Sequence, residues 1–217
     1  MDKNKSILIF SPHHDDESLG MGGTIRLLTN NECSIFEVVV TSGYTGVLNT
    51  DNENAIKIRE KESIAAGDVL GIKEISFMHL PDHMLEFCKD NMQKFISVIR
   101  KYNPDIIYLP HKDESDRDHR LVCEMGKEAA WLAQLPSIIS TEQPAKQNEI
   151  RYYEVWTPMP KIKNFVGIDS VSAEKEEAIK CYASQMAQRD YLNMATGLNM
   201  FRAGKHDSSC KKVEVFS

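Results

Sequence analysis

The sequence predicts an α/β fold, a Rossmann-like three-layer sandwich with a mostly parallel sheet. Short apolar, β-branched runs of strand length alternate with longer segments that carry apolar residues at helical spacing. Such alternation favours right-handed βαβ units, which lay helices on both faces of a parallel sheet. Histidines and carboxylates also collect where the first and fourth apolar runs end, the rim at which open α/β sheets build their sites.

The elements follow in order. Residues 6–11 (S-I-L-I-F-S) form a short buried strand that Pro12 interrupts, and residues 17–30 form a helix with Met21, Ile25 and Leu28 at helical spacing. Residues 34–41 are a second strand. Residues 55–70 are a helix with Gly71 as its stop signal. A third strand spans 75–80 and closes at Pro81-Asp82; residues 91–102 are helical, 105–109 form a fourth strand, and 118–132 the next helix. The second half is less regular. Residues 136–147 read as an exposed polar loop, 152–156 and 165–168 as later strands at a sheet edge, and 175–186 as a helix with Ala178, Cys181, Tyr182 and Gln185 on one side. No internal repeat, low-complexity stretch or domain boundary interrupts this plan, so residues 1–217 are expected to form a single domain.

Composition narrows the function classes. A chain of 217 residues, 41% hydrophobic and 27% charged, can bury a substantial core. Its net charge of -6 and its lack of Lys/Arg runs argue against nucleic acid as a partner. The apolar run at 7–10 is too short for a signal-peptide core or a membrane span, so a cytoplasmic protein with no transmembrane segment is expected. Five scattered cysteines (Cys33, Cys88, Cys123, Cys181, Cys210) with no C-x-x-C pair argue against a disulfide framework or a zinc-thiolate knuckle.

The first strand ends in Pro12-His13-His14-Asp15-Asp16-Glu17 and the fourth in Pro110-His111, continuing to Asp116-Arg117-Asp118-His119-Arg120. The first string is no nucleotide loop, because acids rather than glycines follow the strand; Gly20, Gly22 and Gly23 come later and suit close helix–sheet packing. Acids also complement a helix N-terminus, and that alone would account for Glu17 and Asp118. Five consecutive polar or ionisable residues at a sheet rim are costly unless they share a ligand. Imidazole with carboxylate is the donor set of Zn²⁺ or non-haem Fe²⁺. His79, His83 and His206 have no partner motif and read as surface or packing residues, and Trp131 and Trp156 as core or rim. Asp113 and Glu114 either line the site entrance or solvate their loop.

These strings resemble those of the PIG-L, or LmbE-like, N-deacetylases. That family's strand–A/P-H-P-D-D-E–helix signature with its glycine stretch stands here as Pro12 to Glu17 followed by Gly20-Met21-Gly22-Gly23-Thr24, and its H-P-D-H motif as Asp116-Arg117-Asp118-His119. Fainter echoes run in order through the chain: Arg59-x-x-Glu62 with Leu70-Gly71, Leu80-Pro81-Asp82, Lys175-x-x-Ala178 with Tyr182-x-Ser184-Gln185, and Val213-Glu214-Val215-Phe216. The resemblance implies a divalent metal, usually Zn²⁺ with Fe²⁺ as the other candidate, held by His13, Asp16 and His119. It implies Asp15 as general base, Asp118 as the residue that orients a catalytic histidine, and Arg59 as a substrate contact. The implied reaction removes an N-acetyl group from a small amino sugar or amino-sugar conjugate; whether the chain forms a homo-oligomer stays open.

Two departures stand out. His14 replaces the family's proline, and Asp116 replaces the first histidine of H-P-D-H, where a carboxylate cannot donate a hydrogen bond unless it is protonated. His111 and His14 are the candidates for the missing imidazole. The competing readings are an amidase of the same chemistry on another acyl amide, and a non-catalytic metal-binding α/β protein.

Overall fold

Ile7, Leu8, Ile9 and Phe10 are all wholly buried, because both faces of the strand they form are covered. This strand, β1 (Ser6–Ser11), is followed in the chain by β2 (Ser34–Thr41), β3 (Glu74–Leu80), β4 (Ile106–Pro110) and β5 (Glu149–Tyr153). The five pair in parallel in the order β3-β2-β1-β4-β5. The computed structural model describes residues 2–139, 141–206 and 209–217.

The helices are α1 (Asp16–Asn30), α2 (Asn52–Leu70), α3 (Lys89–Tyr102), α4 (Arg117–Leu132), α5 (Ser172–Cys181), the single turn α6 (Ala183–Met186) and α7 (Tyr191–His206). Side chains alternate across β1 and divide the core in two. Ile7 and Ile9 join Met21, Ile25, Leu70, Ala178 and Tyr182 beneath α1, α2 and α5. Leu8 and Phe10 join Phe95, Ile99, Val122 and Met125 beneath α3 and α4. This is the expected three-layer sandwich.

Several local expectations are realised by identifiable contacts. Gly71 ends α2 in the left-handed conformation, φ 79°, that glycine adopts without strain. A Cβ on Gly20 would stand 2.6 Å from the Glu154 carbonyl oxygen, so α1 can approach β5 only with glycine there. Just beyond, Met21 leaves helical geometry (φ -147°, ψ 19°), and the kink frees backbone N–H groups that Glu214 accepts. Its carboxylate takes Gly23 N–H at 3.0 Å and Thr24 N–H at 2.7 Å, and Lys175 Nζ lies 2.6 Å away.

The irregular half differs from expectation in detail. The strand expected at 152–156 is β5, which begins three residues earlier and stops at Tyr153, because Glu154 turns away to pair with Arg202. The strand expected at 165–168 is β6 (Asn164–Gly167), and it belongs to a separate antiparallel ribbon with β7 (Val213–Phe216). The helix expected at 175–186 divides into α5 and α6 at Tyr182, whose hydroxyl donates to Glu17 at 2.7 Å. The pattern of apolar residues did not announce α7, since its buried face includes Asn199 and Arg202, satisfied by the Val213 carbonyl and by Glu154. No described helix is long and apolar enough to cross a membrane.

Candidate active site

Strand order reverses between β1 and β4: the chain fills one side of β1 with β2 and β3, then crosses to β4 and β5. Crevices at the carboxyl end of such a switch point are where open α/β sheets hold ligands. The two strings singled out in the sequence leave the sheet there, His13 to Glu17 after β1 and His111 to His119 after β4.

The structure brings three of the predicted residues together. His13 Nδ1 lies 3.2 Å from His119 Nε2 and 3.4 Å from Asp16 Oδ2, and His119 Nε2 lies 3.2 Å from the same oxygen. The edges of this triangle match the ligand–ligand spacing of about 3.3 Å that tetrahedral bonds of about 2.0–2.1 Å require. Asp16 and His119 are wholly buried, and the His13 side chain is 16% exposed. The second oxygen of Asp16 is buried without a hydrogen-bond partner among the described residues. Two imidazole nitrogens aimed at each other and at one carboxylate are a poor hydrogen-bonding set and a good donor set for a divalent ion. The residues fit one.

Carboxylates brace this triangle from behind. Asp118 Oδ2 and Asp82 Oδ1 each lie 3.5 Å from His13 Nε2, the ring nitrogen that does not face the triangle. A carboxylate on the far nitrogen of a ligating histidine fixes its tautomer and orientation. Burial opposes a charge on His13, yet Asp118, Asp16 and Asp82 together hold its pKa well above the ordinary histidine value. Burial likewise opposes ionisation of Asp16, and the imidazoles of His119 and His13 overcome it and hold the carboxyl far below the usual range. Asp82 also accepts from Thr41 and Thr45, which ties the turn after β3 to the end of β2. In the sequence it was visible only as the end of L-P-D.

Asp15 and Arg59 form a second pair. Arg59 Nη2 lies 3.3 Å from Asp15 Oδ2, Nη1 lies 3.4 Å from Glu62, and the guanidinium packs over the Tyr182 ring at 5.4 Å. Glu62 in turn accepts the backbone N–H and hydroxyl of Ser184 at 2.7 Å each. Both Asp15 and Arg59 line a cavity of about 680 Å³, together with His13, Asp82, Trp156 and Tyr191. Arg59 is 2% exposed, so it reaches the cavity chiefly through its partner.

Other sequence candidates fall elsewhere. The His14 ring stacks on Phe77, and a Cβ on Gly43 would stand 2.6 Å from its Nδ1; burial, then the charge of Arg59, holds its pKa well below the ordinary value. His111 Nε2 is bonded to the Thr157 carbonyl at 2.7 Å and faces a different cavity. Neither imidazole is among the residues that line the cavity of Asp15. Asp116 caps α4, its Oδ1 accepting from Asp118 N–H at 2.7 Å and His119 N–H at 3.3 Å. Glu114 neither lines the entrance nor solvates its loop. It is buried and accepts three backbone N–H groups, those of Val155, Trp156 and Thr157, at 2.7, 3.1 and 3.0 Å. Asp113 is bound to Lys112 at the surface. Trp131 is exposed and outside the cavity, whereas Trp156 packs against Tyr191 at 5.5 Å on its wall. His83 sits on the surface as its sequence suggested, but on the surface of this cavity.

The PIG-L family profile, described as GlcNAc-PI de-N-acetylase, matches residues 8–130. Diacetylchitobiose deacetylase of Thermococcus kodakarensis is 29% identical over 195 residues, covering 85% of this chain and 71% of its own. A Bacillus anthracis protein described as probable N-acetyl-alpha-D-glucosaminyl L-malate deacetylase 2 is 30% identical over 207 residues, covering 87% and 85%. Among solved structures, N,N'-diacetylchitobiose deacetylase from Pyrococcus horikoshii, in complex with its inhibitor, superposes with a TM-score of 0.88 at 26% identity, covering 98% of this chain and 83% of its own. With its profile matched over more than half its length and its signature strings gathered at one crevice, the chain belongs to the PIG-L family.

Proposed function

We propose that the protein is a metal-dependent N-deacetylase that releases acetate from a small N-acetyl amino sugar or amino-sugar conjugate. Zinc is the ion the donor set favours, and His13, Asp16 and His119 hold it. The observation that carries this reading is the donor triangle of about 3.2–3.4 Å lying beside Asp15 at one cavity. Relatives named for deacetylation of N-acetylglucosamine conjugates support the substrate class.

Bound there, the ion supplies Lewis acidity that brings the pKa of water towards neutrality. Asp15 takes a proton from the attacking water, and the salt bridge to Arg59 fixes the direction in which its free oxygen points. Asp118 and Asp82 keep His13 in one tautomer and one orientation, so the triangle stays assembled when the carboxylates of the crevice are ionised. Trp156 and Tyr191 give the cavity an aromatic wall against which a sugar ring can rest.

Two measurements test the reading together. Elemental analysis should find about one divalent ion per chain in wild type and substantially less in His13→Ala and His119→Ala. Amine release from N,N'-diacetylchitobiose, N-acetylglucosamine and an N-acetylglucosaminyl malate should occur with wild type and fall by about 10²–10⁴-fold in Asp15→Asn. Equal metal content in the three proteins would overturn the ligand set, and undiminished release by Asp15→Asn would overturn the base.

A further inference from the structure

The proposed reaction needs a proton for the departing amine, and the family motif that would carry an imidazole has Asp116 in its place. The Asp116 carboxylate accepts two N–H groups of α4, so it is held as an acceptor, and neither His14 nor His111 is among the residues that line the cavity. A different imidazole stands at the spot. His83, in the turn after β3, lines the cavity with His13, Asp15 and Asp116. Its ring centroid is 6.0 Å from that of His13, and one ring nitrogen lies within 4.8 Å of both a His13 nitrogen and an Asp116 oxygen.

The backbone of His83 is placed with unusual care for an exposed residue. It has φ 57°, in the left-handed region that favours glycine. Its N–H donates to the wholly buried Asp118 at 2.8 Å, and the preceding Asp82 is tied to Thr41 and Thr45. The chain therefore leaves this turn in one direction, and the imidazole is exposed where that of His119 is wholly buried and that of His13 is 16% exposed.

We propose that His83 donates the proton to the leaving amine and that Asp116 orients its ring. The assignment rests on the deacetylase reading above. In balance, water gives OH to the acyl carbon and a proton to Asp15. The C–N bond then breaks with its electron pair staying on nitrogen, and that nitrogen takes a proton from the His83 ring. The proton on Asp15 passes to the imidazole to restore both groups, leaving acetate and the free amine with one proton lost to solvent or retained by the amine.

The variant His83→Gly suits the test, because glycine adopts the left-handed turn without strain and leaves room for a small molecule. With N,N'-diacetylchitobiose or whichever N-acetyl sugar the wild type cleaves, kcat should fall about 100-fold or more while KM changes by no more than a few-fold. Metal content should equal that of wild type, and added imidazole should restore part of the rate in His83→Gly but none in Asp15→Asn. Asp116→Asn keeps the helix cap and should lower kcat about tenfold. Wild-type kcat in His83→Gly, or a loss of metal from it, would overturn the assignment, the latter by making His83 a ligand. Unchanged kcat in Asp116→Asn would overturn the orienting role. If wild type releases amine from no N-acetyl sugar, the deacetylase reading falls and this inference with it; activity that survives in His83→Gly removes the inference alone.

Discussion

The guanidinium of Arg59 lies 3.3 Å from the carboxylate of Asp15, and both groups are nearly sealed from solvent beside the proposed metal-ligand triangle. The pair suits Arg59 to positioning the proposed base, alongside the substrate contact that the family resemblance implies, since Arg59 also lines the cavity. Arg59→Met should leave the carboxylates of Asp15 and Glu62 buried without their cation. Breaking a buried pair from one side costs about 3–5 kcal/mol. We expect a lower melting temperature, a fall of at least tenfold in kcat and unchanged metal content. Adding Asp15→Asn should recover part of the stability and none of the activity, a non-additivity that a thermal melt and a rate assay on the four proteins would read.

Glu114 offers a different separation, between binding and chemistry. It accepts the N–H groups of residues 155–157, the segment that carries Trp156 to the cavity wall. Glu114→Ala leaves those donors without partners, each at a cost of about 1–3 kcal/mol if they stay buried. The segment is expected to loosen, raising KM several-fold with a smaller effect on kcat. An effect confined to kcat would contradict this.

Beneath the site, Glu17 and Glu37 are two wholly buried carboxyls. Burial, with Asp15 adding to it, raises the Glu17 pKa to about 7, and burial together with the charge of Glu17 raises that of Glu37 well above its ordinary value. A carboxyl whose pKa is raised by folding holds its proton more tightly in the native state. Its contribution is therefore most favourable below the unfolded pKa of 4.5 and diminishes as pH rises towards the folded value. The wild-type melting temperature, taken in chelator, should decline between about pH 5 and pH 8. Glu37→Gln should flatten that decline, and an unchanged slope would show that Glu37 is not a proton holder.

The buried pair between Lys175 and Glu214 should matter to stability alone. Lys175→Met leaves Glu214 charged and half-satisfied, and the expected loss of about 3–5 kcal/mol corresponds to a drop on the order of 10 °C in melting temperature. Metal content of the folded fraction should be unchanged. Lys175→Met with Glu214→Gln should fall less than the sum of the two single variants.

The layout of the sheet was legible because β1, β2 and β4 are buried on both faces and so read as unbroken apolar runs. The donor triangle was legible for another reason: His13 and Asp16 are three residues apart, and His119 begins the helix after the strand next to β1. What escaped the sequence has polar groups on the buried side. Asn199 and Arg202 on α7 are satisfied by Val213 and Glu154, partners that no periodicity reveals. The places of His83 and Asp82 escaped because the turn after this edge strand offered only the fragment Leu80-Pro81-Asp82, and the register of β3 against β2 is what brings that turn over the crevice.

The catch that Glu214 places on the kink of α1 also orders events during synthesis. Every residue of the proposed metal triangle and its braces lies before residue 120, yet the helix that starts at Asp16 receives its latch from a strand some two hundred residues later. A nascent chain thus carries the full ligand set long before the kinked helix is fastened. Chains halted short of β7 should melt at a lower temperature than the full chain, because α1 then lacks its latch.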